Sequence, residues 1–486
     1  MKLSKQTTAT IFVTILIGIF TLLFFWINPP IYLYLLFFAI AFLFIARYPL
    51  SGLLAAIFLT LVFGQQFALQ PLVTETGNYL LYPLDILLIL TALAAVLQRR
   101  KWWPKAKKEW RWLTPLINIF IIVITANMLW SFYAGTDTIL ALSAFKNYAV
   151  YGLLFFLGVV LLRSWKDISK LLRTILMSGL AAGIILLINL VRGVGFLVEY
   201  NPITTSGTRY LAGIHAWALV LALIISLAYL AYRMKVWRHF QIPIVLGQIV
   251  GLGISLFRHL WLVIAFIGAT LIAWMPLDIK RRFINFAGRF LVLIAIGGLF
   301  TFYISAFIPN WNLNLATEDY LQPFVERVTT INLNPEEESA QFRLKSWESA
   351  WNAFLENPIL GNGLDAKLGI EINDFKQTIE ARDVHNSFLT ILVETGLIGL
   401  LPLLALIILL LTRGRRALKQ ATKHQGTIMA LLLCLIAFVL GANFGVYFET
   451  NMTGIFFWIL AAGLFAAVQL SDKAPAESQA NEQSSQ

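Results

Sequence analysis

Charged side chains are scarce in this chain of 486 residues: they make up 13% of it, whereas 59% of the residues are hydrophobic. A soluble domain needs about 25% charged residues, so this composition excludes an ordinary soluble fold. Cysteine is almost absent as well. The single cysteine, Cys434, lies inside an apolar run, which excludes disulfides and cysteine-ligated metal sites.

The chain also lacks the short motifs that mark common catalytic and cofactor sites. It has no phosphate-binding loop of the Walker type, no dinucleotide-binding glycine pattern and no nucleophile elbow. Asp, Glu, His and Cys do not cluster at metal-site spacings, and the acidic run 336–338 indicates a solvated surface. We therefore predict chemistry that uses neither a metal ion nor a cofactor.

Long apolar runs dominate what is present, and they are long enough to cross ~30 Å of hydrocarbon. They predict an all-α, polytopic membrane protein with 12–14 transmembrane helices. The first run follows Lys2 and Lys5 as in a signal peptide, but it is too long and no small-residue cleavage site follows, so we predict a retained span. The predicted spans are 8–26, 31–46, 51–69, 79–97, 114–132, 147–163, 171–191, 210–232, 241–256, 259–276, 290–307, 388–412, 427–447 and 452–470.

Most Lys and Arg residues fall in alternate connections between these spans, which predicts that this side and both termini are cytoplasmic. The net charge of +12 is thereby an orientation signal and not a sign of nucleic-acid binding. The other basic residues lie on the outer side, where the rule gives them no role. They are Lys146, Arg192, Arg209, Arg258, Arg327, Arg343, Lys345, Lys367, Lys376 and Arg382.

Composition divides the chain into five regions. Transmembrane helices occupy 1–204, and further transmembrane helices with outer arginines occupy 205–306. A long outer loop follows at 307–387, and the C-terminal transmembrane helices occupy 388–470. The polar tail 471–486 is predicted to be disordered and cytoplasmic.

Two amphipathic helices are predicted in the outer loop. Helical spacing of Tyr320, Leu321, Phe324, Val325 and Val328 predicts a helix on the membrane surface. The second helix should start at Ser339 and end before Pro358, with an apolar face formed by Trp347, Trp351, Phe354 and Leu355. Arg343 shares this face one turn before Trp347, which predicts an anionic partner. Snorkelling of Arg343 to lipid headgroups is the alternative.

A histidine marks the end of the outer loop. His385 is predicted to occupy the first turn of the next span, with Asp383 as the N-cap. The helix N-terminus would keep the imidazole neutral and able to accept a proton. An interfacial polar residue that faces water is the alternative. Glu394 lies nine residues further, roughly 13 Å deeper at ~1.5 Å per residue, where a carboxyl group indicates function or a buried partner.

Three outer arginines come from separate stretches of the sequence. Arg209 precedes the eighth predicted span, Arg258 lies in the turn between the ninth and tenth, and Arg343 lies in the loop. They could converge on one anion, and the planar, permanently charged fork of arginine suits a diphosphate. Three unrelated interfacial arginines are the alternative.

Several of these stretches resemble the O-antigen ligase and polymerase superfamily of bacterial envelope glycan enzymes. The resemblance is strongest in 343–399, where Arg343 with Trp347, then Asn-Pro-Ile-Leu-Gly-Asn-Gly at 357–363, look like the loop signature of the family. His385-Asn386 followed by Gly396 and Gly399 matches its histidine motif. The turn 255–258 is similar to its serine-arginine turn, with His259 in place of the usual glycine. Arg209 followed by Gly213 resembles its preceding arginine segment more loosely.

The resemblance implies a bacterial inner-membrane enzyme that transfers a glycan from a polyprenyl diphosphate carrier at the periplasmic face. It implies His385 as the base, Arg209, Arg258 and Arg343 as diphosphate ligands, and Asn386, Glu394 and Trp347 as supporting residues. The full histidine motif favours a ligase that uses lipid A-core as acceptor. A polymerase and a protein O-oligosaccharyltransferase stay open, as does, from another class, a transporter of lipid-linked glycans. The sequence leaves the oligomeric state open.

Overall fold

A computed structural model describes residues 4–27, 31–70, 82–98, 113–192, 210–234, 240–285, 287–288, 292, 338–372, 375–421 and 423–484. Within these residues the protein is a polytopic bundle of apolar helices, which confirms the predicted fold class. The predicted span 290–307, the predicted helix at 320–328 and Arg209 lie outside the described residues.

The helices before the loop are α1 Lys5–Ile27, α2 Ile31–Arg47, α3 Pro49–Phe63, α4 Gln65–Ala68, α5 Pro83–Leu97, α6 Thr114–Tyr133, α7 Thr138–Phe145, α8 Leu154–Leu161, α9 Trp165–Arg192, α10 Gly213–Ala231, α11 Gln241–Ile254 and α12 Arg258–Trp274. A π-helical turn, Lys146–Val150, joins α7 to α8. Further along the chain come α13 Glu338–Glu356, strands β1 Lys367–Ile372 and β2 Phe375–Glu380, and a 3₁₀ turn Ala381–Val384. The last helices are α14 Ser387–Gln420, α15 Gln425–Gly441 and α16 Gly454–Ser484.

Seven of the described helices are long and apolar enough to cross a membrane, and six further apolar helices are shorter. Together they correspond to thirteen of the fourteen predicted spans. The largest shift is in the span predicted at 147–163, which begins at Thr138 because the Asp137 side chain accepts hydrogen bonds from the backbone N–H groups of Ile139 and Leu140. Helix α16 continues to Ser484 where a disordered tail was predicted, because Ala, Glu and Gln favour helix without packing.

Three helices form the centre of the bundle. Almost every residue of α10, α15 and the first half of α16 is buried, and Trp217 and Trp458 are fully enclosed. Helix α10 packs on α9, α11 and α15, while α16 packs on α8, α14 and α15. Small residues allow close contact here: a Cβ built on Gly179 would lie 2.3 Å from the Ala222 Cβ.

Residues 338–372 and 375–386, the described end of the long loop, form an ordered unit on one end of the bundle, which we call the loop side. Here α13 packs on β1 and on α14, and β1 pairs with β2 in antiparallel register from Lys367 opposite Glu380 to Ile372 opposite Phe375. The second amphipathic helix is thus confirmed within one residue of its predicted start. The hairpin was not predicted, because its two six-residue strands are short and lie among charged residues.

Candidate active site around His385

His385 lies in a sharp turn between the 3₁₀ turn and α14. Its backbone is left-handed, with φ 56° and ψ 33°, so the prediction that it occupies the first helical turn is wrong. Asn386 is the N-cap and accepts a hydrogen bond from the Leu389 N–H at 3.1 Å. The predicted cap, Asp383, instead accepts from the Glu380 N–H at 3.2 Å and closes the 3₁₀ turn. Asn386 is the cap because its side chain is closer to the first N–H groups of α14.

Helix α13 holds this turn from one side. The Trp347 indole N–H donates to the Val384 carbonyl at 3.0 Å, one residue before His385. The Phe342 ring lies 6.4 Å from the imidazole, edge to face. The buried face of α13 is Trp347, Ala350 and Phe354, whereas the predicted face residues Trp351 and Leu355 are 50% and 56% exposed. Helical spacing alone could not distinguish the two neighbouring stripes.

The charge around His385 favours a neutral imidazole. The side chain reaches solvent but has many protein atoms around it. This desolvation and the nearby Arg343 charge lower the His385 pKa, and Asp383 opposes them. The predicted neutral state agrees in direction, but its cause is burial and Arg343, because His385 lies before the helix and outside its first turn. Arg343 and His385 therefore belong to one electrostatic site.

Helix α14 is broken at Gly396, about three helical turns below His385. Gly396 has φ 61° and ψ −164°, a conformation open to glycine alone, which interrupts the helical hydrogen bonds. The segment 357–363 supplies the missing partners. The N–H groups of Asn362 and Gly363 donate to the carbonyls of Val393 and Glu394 at 2.8 and 3.0 Å. The N–H groups of Leu397 and Ile398 donate back to Pro358 and Ile359 at 2.9 and 3.3 Å.

These bonds join the two sequence motifs of the loop and of α14, and we call the contact the interlock. It leaves no room for side chains: a Cβ on Gly361 would lie 2.5 Å from Glu394 backbone atoms, and one on Gly396 would lie 2.3 Å from the Ile359 carbonyl oxygen. A broken helix is tolerated at membrane depth only where protein satisfies its backbone groups. One backbone contact thus explains Gly361 of the loop motif and Gly396 of the histidine motif.

Glu394 belongs to the interlock and not to the His385 turn. It is 2% exposed, and its Oε1 accepts a hydrogen bond from the Asp365 N–H at 3.0 Å. Its Oε2 has no hydrogen bond of standard geometry in the described residues, although the Tyr148 side chain lies beside it. The predicted buried partner of Glu394 is therefore present, and the partner is loop backbone.

Local ion pairs account for four of the outer basic residues. Lys146 lies 3.1 Å from Asp85, Lys345 lies 3.1 Å from Glu348, and Lys367 lies 3.0 Å from Asp365 and 3.2 Å from Glu380. Arg382 pairs with the other oxygen of Glu380. These four cations thus have carboxylate partners within the described part of the chain.

Arg258 is the first residue of α12 and is half-buried. The turn before it contacts the start of α10, because a Cβ built on Gly213 would lie 3.8 Å from the Phe257 ring. The start of α10 thus contacts the turn that precedes Arg258. The structure brings Arg343, Trp347, His385 and Asn386 together, whereas convergence of Arg258 and Arg209 on them stays a prediction.

Two polar residues behind the site were missed from the sequence. The Ser387 hydroxyl donates to Glu449 Oε2 at 2.5 Å and accepts from the Tyr447 N–H at 2.8 Å. Glu449 is 6% exposed, and burial raises its pKa to about 7. This pair anchors the start of α14 to the connection between α15 and α16. The sequence signal for Glu449 is that it is the single charged residue in the stretch 444–460.

Among the described residues, no group of three or more His, Cys, Asp or Glu side chains is arranged to hold a metal ion. The site has the parts for acid–base chemistry beside a cation: an accessible neutral imidazole, a neighbouring guanidinium and a rigid backbone frame. Taken together, fold and site define a polytopic membrane protein with a histidine-arginine centre at one end of its bundle.

Residues 244–404 match the family model described as O-Antigen ligase. The matched stretch contains Arg258, Arg343, the segment 357–363 and the histidine motif, and it confirms the predicted O-antigen ligase and polymerase superfamily. The domain is of the glycosyltransferase type. Arg209 lies before the match. No curated protein matches the chain.

Proposed function

We propose that this protein is an O-antigen ligase, which moves a glycan from a polyprenyl diphosphate to a hydroxyl of lipid A-core at the periplasmic face of the inner membrane. The observation that carries the proposal is the contact of motifs: Arg343 acts electrostatically on His385 while Trp347 holds the backbone beside it. A base and a cation side by side suit a reaction that removes a proton and releases an anion.

The proposed reaction has one chemical step. The acceptor hydroxyl gives its proton to His385, and its oxygen attacks the anomeric carbon from the side opposite the diphosphate. The bond between that carbon and the diphosphate oxygen breaks, and its electron pair leaves with the diphosphate. Arg343, with Arg258 and Arg209, offsets the negative charge that develops. The configuration at the sugar carbon inverts, and no metal ion is required because the leaving group is already stable.

The rigid frame supports the alignment that such a reaction needs. Positioning of reactants supplies a large share of rate enhancement in transfer reactions. The interlock fixes the depth of the loop against α14, while the Asn386 cap and the Trp347 hydrogen bond fix the turn of His385. Asn386 and Trp347 therefore act as positioning residues, and Glu394 holds the loop through Asp365.

A transfer assay tests the proposal directly. Purified protein in detergent receives a labelled polyprenyl-diphosphate glycan with lipid A-core or unlabelled donor as the acceptor, beside the His385→Ala variant. We expect label on lipid A-core that the variant fails to produce. A ladder of label on the donor would replace the ligase with a polymerase, and transfer to neither acceptor would contradict both and favour protein acceptors or transport. Addition of a chelator should leave the rate unchanged; inhibition that a divalent cation reverses would refute the metal-free step.

A further inference from the structure

A polar groove lies on the loop side, on the face of α13 away from Trp347. Two cavities form it, of about 450 and 420 Å³, which is the size range of ligand sites. The first lies between α13 and β1, and the second lies between the end of α13, the turn 134–137 and residues 362–367. Ala353, Glu356 and Lys367 line both cavities, so the groove is continuous.

Hydrogen bonds between lining residues hold the walls of the groove together. The Ser349 hydroxyl donates to the Gly369 carbonyl at 2.7 Å, and the Asn362 amide donates to the Ala353 carbonyl at 2.8 Å. The side chains of Asn352 and Glu356, one helical turn apart on α13, are exposed and make no hydrogen bond within the described part of the chain. A preformed surface with free amide and carboxylate groups is suited to hydroxyl-rich ligands.

Charge narrows the class of ligand. Five carboxylates line the groove (Asp137, Glu348, Glu356, Asp365 and Glu371), against two lysines, Lys345 and Lys367. An acidic surface disfavours a diphosphate or an acidic sugar and favours neutral or amino sugars. The polar lining likewise disfavours an isoprenoid or acyl chain, because burial of the Glu356 carboxylate against hydrocarbon would be costly.

The groove is connected to the His385 turn through backbone. The Ala381 N–H, four residues before His385, donates to the Ala366 carbonyl in the wall of the second cavity at 2.8 Å. At the far end, the exposed rings of Trp130 and Tyr133 lie 5.7 Å apart just before the turn 134–137. The wall of the groove and the turn that carries His385 are therefore fixed relative to each other.

We propose that the groove binds the chain of neutral or amino sugars of a substrate, with Asn352 and Glu356 as its contacts. This proposal rests on the proposed glycan transfer and specifies where the chain lies. The groove consists of two adjoining cavities, of about 450 and 420 Å³, so it should act on long glycans and not on the reacting sugar. It thereby selects for glycan length and charge.

The test blocks the groove where its two cavities meet. In Glu356→Trp, an exposed side chain is replaced by a bulky one, whereas Leu355→Trp puts the same ring on the neighbouring exposed position outside the groove. Transfer is measured with the full-length protein in nanodiscs, with the native lipid-linked glycan and with a donor that carries one sugar. We expect Glu356→Trp to raise KM for the long glycan about tenfold, the loss of a charged hydrogen bond, with kcat within about twofold.

The single-sugar donor should show no change, and Leu355→Trp should equal the native protein. A rise in KM on titration of the donor would assign the groove to the donor chain, and a rise on titration of the acceptor would assign it to the acceptor chain. Equal KM values for Glu356→Trp and native protein in both titrations would overturn the proposal, as would an equal loss with the single-sugar donor.

A binding measurement separates this proposal from the proposed function. Saturation-transfer NMR follows the oligosaccharide released from the native donor, added to native protein and to both variants. Binding that only Glu356→Trp abolishes would support the groove even if the native protein transferred nothing, an outcome that would refute the ligase function alone. Transfer by the native protein with equal oligosaccharide binding by all three proteins would refute the groove alone.

Discussion

Two neighbouring regions of the loop side are held together by different groups, one by side chains and the other by backbone. The His385 turn is formed by side chains: an indole N–H, an asparagine cap and an arginine charge around an accessible imidazole. The interlock, about three helical turns deeper, is formed almost entirely by backbone, with glycines where a Cβ would collide. Side chains can be replaced with little change of shape, whereas a backbone contact of this kind cannot. Changes in the first region should therefore alter rate, and changes in the second should alter stability together with rate.

The largest effect should follow from removal of the imidazole. We expect His385→Gln to lower the transfer rate about 10²–10⁴-fold, the usual contribution of a general base, because glutamine keeps size and polarity but accepts no proton at neutral pH. The melting temperature should change little, since the side chain is exposed. Single-turnover transfer and thermal unfolding measure the two. Native activity in this variant, or a large loss of melting temperature, would remove the distinction between the regions.

A substitution in the interlock should lower the stability of the protein. Gly396→Ala puts a Cβ 2.3 Å from the Ile359 oxygen at a φ of 61°, so we expect the free energy of unfolding to fall by at least about 1–3 kcal/mol from backbone strain alone. Activity should fall in parallel. The matched control is Gly268→Ala on α12, where a Cβ meets nothing within 4 Å. Equal melting temperatures for the two variants would show that the helix break is not needed.

Glu394 offers a graded test of the same region. Its Oε1 accepts the Asp365 N–H, and an amide oxygen can do the same. We expect Glu394→Gln to keep most of the stability, whereas Glu394→Ala should lose about 1–3 kcal/mol because a buried N–H is left without an acceptor. Chemical denaturation in detergent compares the two variants. A larger loss of activity in Glu394→Gln than of stability would instead give the carboxylate charge a role in the reaction.

Trp347 provides a smaller effect on the His385 turn. Trp347→Phe keeps most of the buried ring but removes the hydrogen bond to Val384, worth about 1 kcal/mol. We expect a lower kcat with a similar KM, because the base is displaced while binding groups stay. Trp351→Phe, at a half-exposed position on the same helix, should behave as native protein. An equal effect of both substitutions would refute a positioning role for Trp347.

The finest effect is electrostatic. Because desolvation and Arg343 lower the His385 pKa, its protonation should begin only below the ordinary value of 6.5, and the chemical rate should fall as pH decreases through that lower pKa. Arg343→Gln removes one of the charges that lower the pKa of His385, so this pKa should rise. NMR titration of labelled histidines, with His385→Gln to assign the signal, measures this without turnover. An unchanged pKa in Arg343→Gln would separate the two residues.

The sequence predicted those features that depend on composition and local spacing. Apolar runs predicted the spans, Pro358 predicted the end of α13, and the two motifs contain the glycines that meet in the interlock. It could not predict that Gly361 and Gly396 meet, because partners more than 30 residues apart leave no periodic signal. The cap of α14 was misplaced for a related reason: Asp383 and Asn386 both suit an N-cap, and only the turn at His385 decides between them.

The interlock also bears on how the chain is assembled during synthesis. The side-chain bonds from Trp347 to Val384 and from Asp365 to Glu394 span 37 and 29 residues, whereas those from Ser131 to Leu364 and from Asn147 to Glu449 span 233 and 302. Contacts between nearby residues form fastest. The segment 338–400 should therefore adopt its shape as soon as the first half of α14 has left the ribosome, before α15 and α16 exist. The contacts of the loop with α14 would then form early, and the last two helices would complete the centre through the bonds of Ser387 to Glu449 and Tyr447.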